Sequence, residues 1–194
     1  MDPVLLPGIL SKHDQCQHTS MPFAVTLRLD EASTPAVEAM WRHLAEQGID
    51  SDRHELGYPP HITLAIYADN APVHRLHGAI TSCAHRWQAV PISLSGLGVF
   101  PGFRSILWAA PVVTQQLLAV QMELQAAMPE LSVDAHYRTG AWVPHVTLSG
   151  PLADPARAIA ALMPLWQPLT GNLDRLDLVR FRPVNLIASI PLPT

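Results

Sequence analysis

The chain has 194 residues, 48% of them apolar and 14% charged, which excludes a disordered protein and suits one domain with a sizeable core. A formal net charge of −4, with Lys12 the only lysine beside eleven arginines, argues against a surface that grips long duplex nucleic acid by counterion release. Two scattered cysteines, Cys16 and Cys83, give no disulfide framework, and no apolar run reaches the roughly 18 residues of a membrane span, so a cytoplasmic protein without a membrane partner is expected.

Residues 1–20 have neither helical nor strand period and read as a flexible leader. Val4–Leu10 is broken by Pro7-Gly8 and lacks a basic stretch before it, which speaks against a secretory signal. Phe23, Val25, Leu27 and Leu29 then alternate with Ala24, Thr26 and Arg28, predicting a half-buried strand. Ser33-Thr34-Pro35 opens a helix whose apolar stripe is Val37, Met40, Trp41 and Leu44, with Gly48 as its stop. A strand over His61–Tyr67 follows the breakers Gly57, Pro59 and Pro60. From Pro72 a second helix sets Val73, Leu76, Ile80, Cys83, Ala84 and Trp87 on one face. Strands are expected over Ile92–Phe100 and Ser105–Ala109, separated by the turn-like Phe100-Pro101-Gly102-Phe103.

The pattern then repeats. A helix bearing Leu117, Val120, Leu124 and Met128 leads to a strand over His145–Ser149, and Asp154-Pro155 opens a helix carrying Ile159, Leu162, Met163 and Trp166. Strands near Leu173–Phe181 and Val184–Ile190 close the chain. Thr26 to His61 spans 35 residues and Trp108 to His145 spans 37, spacing that suits a duplication with pseudo-repeats at about 21–100 and 104–190.

Two segments carry the chemistry: Pro60-His61-Ile62-Thr63-Leu64 and Pro144-His145-Val146-Thr147-Leu148. Alternate residues of a strand share a face, so His61 and Thr63 point one way and His145 and Thr147 likewise, with Ile62 and Val146 behind them. A lone His-x-Thr is commonplace on a half-exposed strand. Two copies, each after a proline, before a leucine and at the matching point of a repeat, call for a function. Imidazole titrates near neutrality, so one ring can accept a proton while the other gives one, and the threonine hydroxyls can donate to phosphate oxygens. Two such strands facing each other across a cleft would hold a phosphate between them, with no metal and no cofactor required.

The duplicated motifs resemble the two-histidine (2H) phosphoesterase superfamily, which includes the 2′-5′ RNA ligase-like proteins and the cyclic nucleotide phosphodiesterases. The resemblance covers roughly residues 21–194, and Phe100-Pro101-Gly102-Phe103-Arg104-Ser105-Ile106-Leu107-Trp108 is similar to the segment between the motifs in the RNA ligase-like branch. It implies a bilobal, pseudo-two-fold α+β fold in a single domain, with two antiparallel-rich sheets forming a central cleft and helices outside. It places His61, Thr63, His145 and Thr147 on catalytic positions. Two departures stand out: Ser149-Gly150-Pro151 follows Leu148 where many members carry an arginine, and Ala65-Ile66-Tyr67 replaces the usual Phe-Leu-Gly.

Tyr67, six residues beyond His61, Ser149, four beyond His145, Arg104 and Trp142 are candidates to touch a phosphate or base, with packing as the rival role for each. His74 and His77, three apart on a helix, lack companions for a metal site and read as surface residues. Cys83 falls in a core stripe, so the buried-thiol reading outweighs a reactive pair with His85. The expected activity is a metal-independent phosphodiesterase opening 2′,3′-cyclic phosphates, with His145 as base and His61 as acid. Its substrate would be a small cyclic nucleotide or an RNA terminus, taken by a monomer. Reverse 2′-5′ RNA ligation and a catalytically silent nucleotide- or phosphate-binding module are the alternatives.

Overall fold

A computed structural model describes residues 21–194, so the expected leader over residues 1–20 lies outside the described residues. In chain order the elements are β1 (Phe23–Leu29), α1 (Thr34–Glu46), α2 (Asp52–Glu55), β2 (His61–Tyr67), α3 (Val73–Ala84), β3 (Val90–Phe100) and β4 (Ile106–Pro111). Then come α4 (Gln115–Ala126), a 3₁₀ turn at Ala135–Tyr137, β5 (Val146–Thr147), α5 (Pro155–Leu162), β6 (Leu169–Arg180) and β7 (Asn185–Pro191). The α+β class follows from the interleaved periods. α2 and the 3₁₀ turn are too short to leave a period in the sequence.

Two helices, α4 and α5, begin where a side chain satisfies one of their first amides. Thr114 accepts from Leu117 N at 3.2 Å and Asp154 from Arg157 N at 3.1 Å, each closing one orphan donor. All four residues of the α1 stripe are buried, and Leu44→Ala there would cost about 2–5 kcal/mol through lost contact and residual cavity. Met163, expected in the core, is 56% exposed because α5 ends at Leu162. Val73, the first residue of α3, is exposed as well.

The seven strands pair antiparallel throughout, in the order β1-β2-β5-β4-β3-β6-β7, and β1 also pairs with β6. The two sheets expected from the sequence are therefore hydrogen-bonded into one, and its first six strands close a circuit. β6 makes the closure possible by its length: Leu169–Leu173 pairs with β3 and Leu173–Arg180 with β1.

β5 is shorter than the predicted strand over His145–Ser149. The amides of Leu148 and Ser149 both donate to the Leu107 carbonyl, at 2.8 and 3.2 Å, and the Thr147 carbonyl accepts from the Trp41 indole at 3.0 Å. With two amides on one acceptor and a carbonyl spent on a side chain, the ladder stops after Thr147.

Candidate active site

Ile62 of β2 pairs with Val146 of β5, and neither has exposed surface. Their neighbours therefore point to the opposite face. Extending this antiparallel register by one residue each way sets His61 beside Thr147 and Thr63 beside His145. The histidines occupy diagonal corners of a four-residue patch, a relation that separates Cβ atoms by roughly 7–8 Å. The motifs thus do not face each other across a cleft, as the sequence reading has it. They are adjacent strands, because burying Ile62 against Val146 is what joins the halves. All four polar side chains line one cavity of about 170 Å³.

The two rings are held alike. His61 Nδ1 lies 2.7 Å from the Pro59 carbonyl, and His145 Nδ1 lies 2.8 Å from the Val143 carbonyl. A carbonyl only accepts, so each Nδ1 carries the proton and each neutral Nε2 is left with a free lone pair. Their surroundings differ. The Tyr58 ring packs on His61 at 4.8 Å between centroids, and burial pushes the His61 imidazolium down to about 4, with Arg53, His145 and Arg28 adding repulsion. His145 is lowered by burial too, but it stands against Phe100 and Trp108, at 4.9 and 5.9 Å between centroids. Trp108 lies across β3 over Gly98, where a Cβ would come within 2.3 Å of the indole, so only glycine admits the ring.

Polar residues missed by the sequence reading surround this patch. Thr26 Oγ1 is 2.7 Å from Tyr58 Oη, and Tyr58 donates at 2.8 Å to Asp177, a fully buried carboxylate that also accepts from Ser189 and lies 3.6 Å from Arg28. Arg182, between β6 and β7, donates to both oxygens of Asp52 at 2.7 and 2.8 Å, and Arg53 donates to the same carboxylate through Nε at 2.8 Å and through Nη2. The Arg182 hydrogen bonds hold the Asp52 carboxyl below its ordinary range. Arg53, Tyr137 and Arg182 also line the first cavity, and a second of about 850 Å³ shares these three, His145 and Thr147 with it and has Phe100, Pro101, Ile106 and Val143 along its wall. One sequence signal could have found Tyr58: it stands three residues before His61, as Trp142 stands three before His145.

The four predicted contact residues fare differently. Tyr67 is 1% exposed in the core, because a β-bulge at Leu64 inverts the side-chain parity of β2 and turns Ile66, not Tyr67, toward the cavity. Arg104 is exposed on the loop between β3 and β4 and lines neither cavity. Trp142 lines neither; its indole N–H donates to the Thr63 carbonyl at 2.9 Å, the counterpart of the Trp41 bond to Thr147. Ser149 does line the larger cavity, but its buried hydroxyl accepts from Leu107 N at 3.0 Å. Cys83 is buried in the core, and His74 and His77 are exposed on α3.

Two His-x-Thr strands thus lie side by side in one sheet, over one cavity. The chain belongs to the 2′-5′ RNA ligase superfamily, whose family model matches residues 21–185. Among solved structures it is similar to TT0787 of Thermus thermophilus, at 20% identity and a TM-score of 0.57, covering 89% of this chain and 98% of that one. It is similar to E. coli LigT complexed with phosphate at 13% identity and a TM-score of 0.54, covering 90% and 99%. Kluyveromyces marxianus Usb1 gives 14% and 0.54, covering 88% and 98%. Likeness at these identities concerns the fold. A comparison with curated protein sequences gives no match.

Proposed function

We propose that the protein is a phosphodiesterase that opens a 2′,3′-cyclic phosphate, on a nucleotide or an RNA end, to a monoester. The observation that carries this reading is the diagonal pair of imidazoles, each with Nδ1 tied to a backbone carbonyl and Nε2 free, over a single cavity. In the proposed step one Nε2 takes a proton from water as its oxygen attacks phosphorus. The bond from phosphorus to one ribose oxygen breaks, and that oxygen takes a proton from Nε2 of the other ring, which enters the step as the imidazolium, its second proton taken from solvent when the phosphate anion binds. The hydroxyls of Thr63 and Thr147 donate to the non-bridging oxygens, where charge builds up. Solvent exchange then returns the proton from one ring to the other.

The surroundings support His61 as the base and His145 as the acid, the reverse of the order expected from the sequence. Arg53 and Arg28 beside His61 disfavour its imidazolium. Burial lowers His145 too, but without the added repulsion of the arginines, and a bound phosphodiester anion raises its proton affinity. Single-turnover assays on 2′,3′-cyclic mononucleotides, with chelator present, test the reading. His61→Ala and His145→Ala should each lower the rate by about 10²–10⁴-fold in folded protein. A variant that keeps the wild-type rate removes its histidine from the mechanism. In the wild-type pH profile, the acid limb should belong to His61 and vanish from the binding-competent His61→Ala protein. RNA ends assayed alongside distinguish ligation, the same chemistry reversed.

A further inference from the structure

We propose that Arg53 and Arg182, clasped by Asp52, form the anion-recognition pair of this site and seize the substrate's phosphate before the histidines act. The proposal rests on the phosphodiesterase reading and adds to it the groups that bind the charge. Among the described residues, these are the two arginines that line both cavities, at the junction where His145 and Thr147 also lie. They reach it from remote parts of the chain, since Arg182 and Asp52 are 130 residues apart.

Asp52 balances one of the two guanidinium charges and Asp50 lies near enough to favour the Arg182 cation, so the cluster brings two held cations to the junction in a chain whose overall charge is −4. Each guanidinium has five N–H donors and spends two on Asp52, so both keep donors for a ligand. Exposure is graded: the Arg182 side chain is 48% exposed at the mouth, and that of Arg53 is 15% exposed. The spare donors of Arg53 are not sealed inside the protein but lie where it lines both cavities, so a ligand can reach them.

The clasp is seated firmly. Asp50 accepts from the Gly150 amide at 2.9 Å, and a Cβ at Gly150 would lie 2.8 Å from Asp52 Cβ, so the start of α2 rests directly on the chain leaving β5. Donors fixed in this way need little rearrangement when an anion arrives.

The test compares wild type with R53Q, R182Q, R53K and R182K at fixed ionic strength. Inorganic phosphate affinity is read by calorimetry, and KM and kcat are read on 2′,3′-cyclic mononucleotides. Each Gln variant should weaken phosphate binding and raise KM by about tenfold or more, with kcat within about threefold, since the lost contact serves ground and transition states alike. The Lys variants, which keep the charge and lose the fork, should recover part of the affinity. Phosphate affinity and KM within about twofold of wild type in both Gln variants overturns the proposal, as does wild-type protein that binds no phosphate. Arginine-dependent phosphate binding without turnover of any phosphodiester would overturn the phosphodiesterase reading and leave the anion pair standing.

Discussion

His61 ties stability to pH through one proton. In the unfolded chain its imidazole titrates near 6.5, whereas burial among cations pushes it down to about 4 in the folded protein. Between those values the unfolded state binds more protons, so stability is complete above about pH 6.5 and falls as pH drops toward 4. At about 1.4 kcal/mol per pKa unit, His61 alone accounts for roughly 2–3 kcal/mol of that loss. Urea midpoints at pH 7.5 and pH 4.5 should therefore differ less in His61→Gln than in wild type. Equal differences in the two proteins would mean the ring titrates normally. The paired indoles give a second residue-level expectation. Trp142→Phe removes the donor to the Thr63 carbonyl and leaves that group short of a partner, at a cost of about 1–3 kcal/mol in chemical denaturation; Trp41→Phe should do the same at Thr147.

At the level of elements, periodicity reveals what periodicity governs. β2 is read from its sequence at its full length, and the four His and Thr positions follow from strand parity, which needs only the two residues around Ile62 or Val146. The expectation for Tyr67 breaks down because parity fails at the Leu64 bulge, and nothing in Leu64-Ala65 announces an extra residue. Arg53 and Arg182 are hidden from a sequence reading because a four-residue helix and a turn have no period, and only tertiary folding brings them together. β3 offers the element-level test. Gly98→Ala puts a Cβ within 2.3 Å of Trp108, and overpacking of this kind costs about 1–3 kcal/mol. Because Trp108 also borders His145, the melting temperature and kcat should fall together, whereas a repacking that spared the indole would lower only the former.

Over the whole molecule, remote segments share one site: β2 and β5 supply the imidazoles, the α2 segment and the β6–β7 turn the guanidinium groups, β3 and β4 the aromatic wall. The pseudo-repeat expected from the spacing remains our proposal for how the two motifs arose, and their cross-strand pairing gives them a local two-fold relation. Among the described residues no helix is long and apolar enough to cross a membrane.

The circuit of strands is uneven in strength. β1 is laced to β6 along its whole length, yet β2 meets β5 at Ile62 and Val146 alone. A loop of rope gives at its thinnest splice, and here the splice runs between the two histidines. Thermal breathing at that pair would widen or narrow the gap between the two rings. Deuterium should accordingly enter the Val146 and Thr147 amides sooner than those of β1, and bound phosphate should slow that entry.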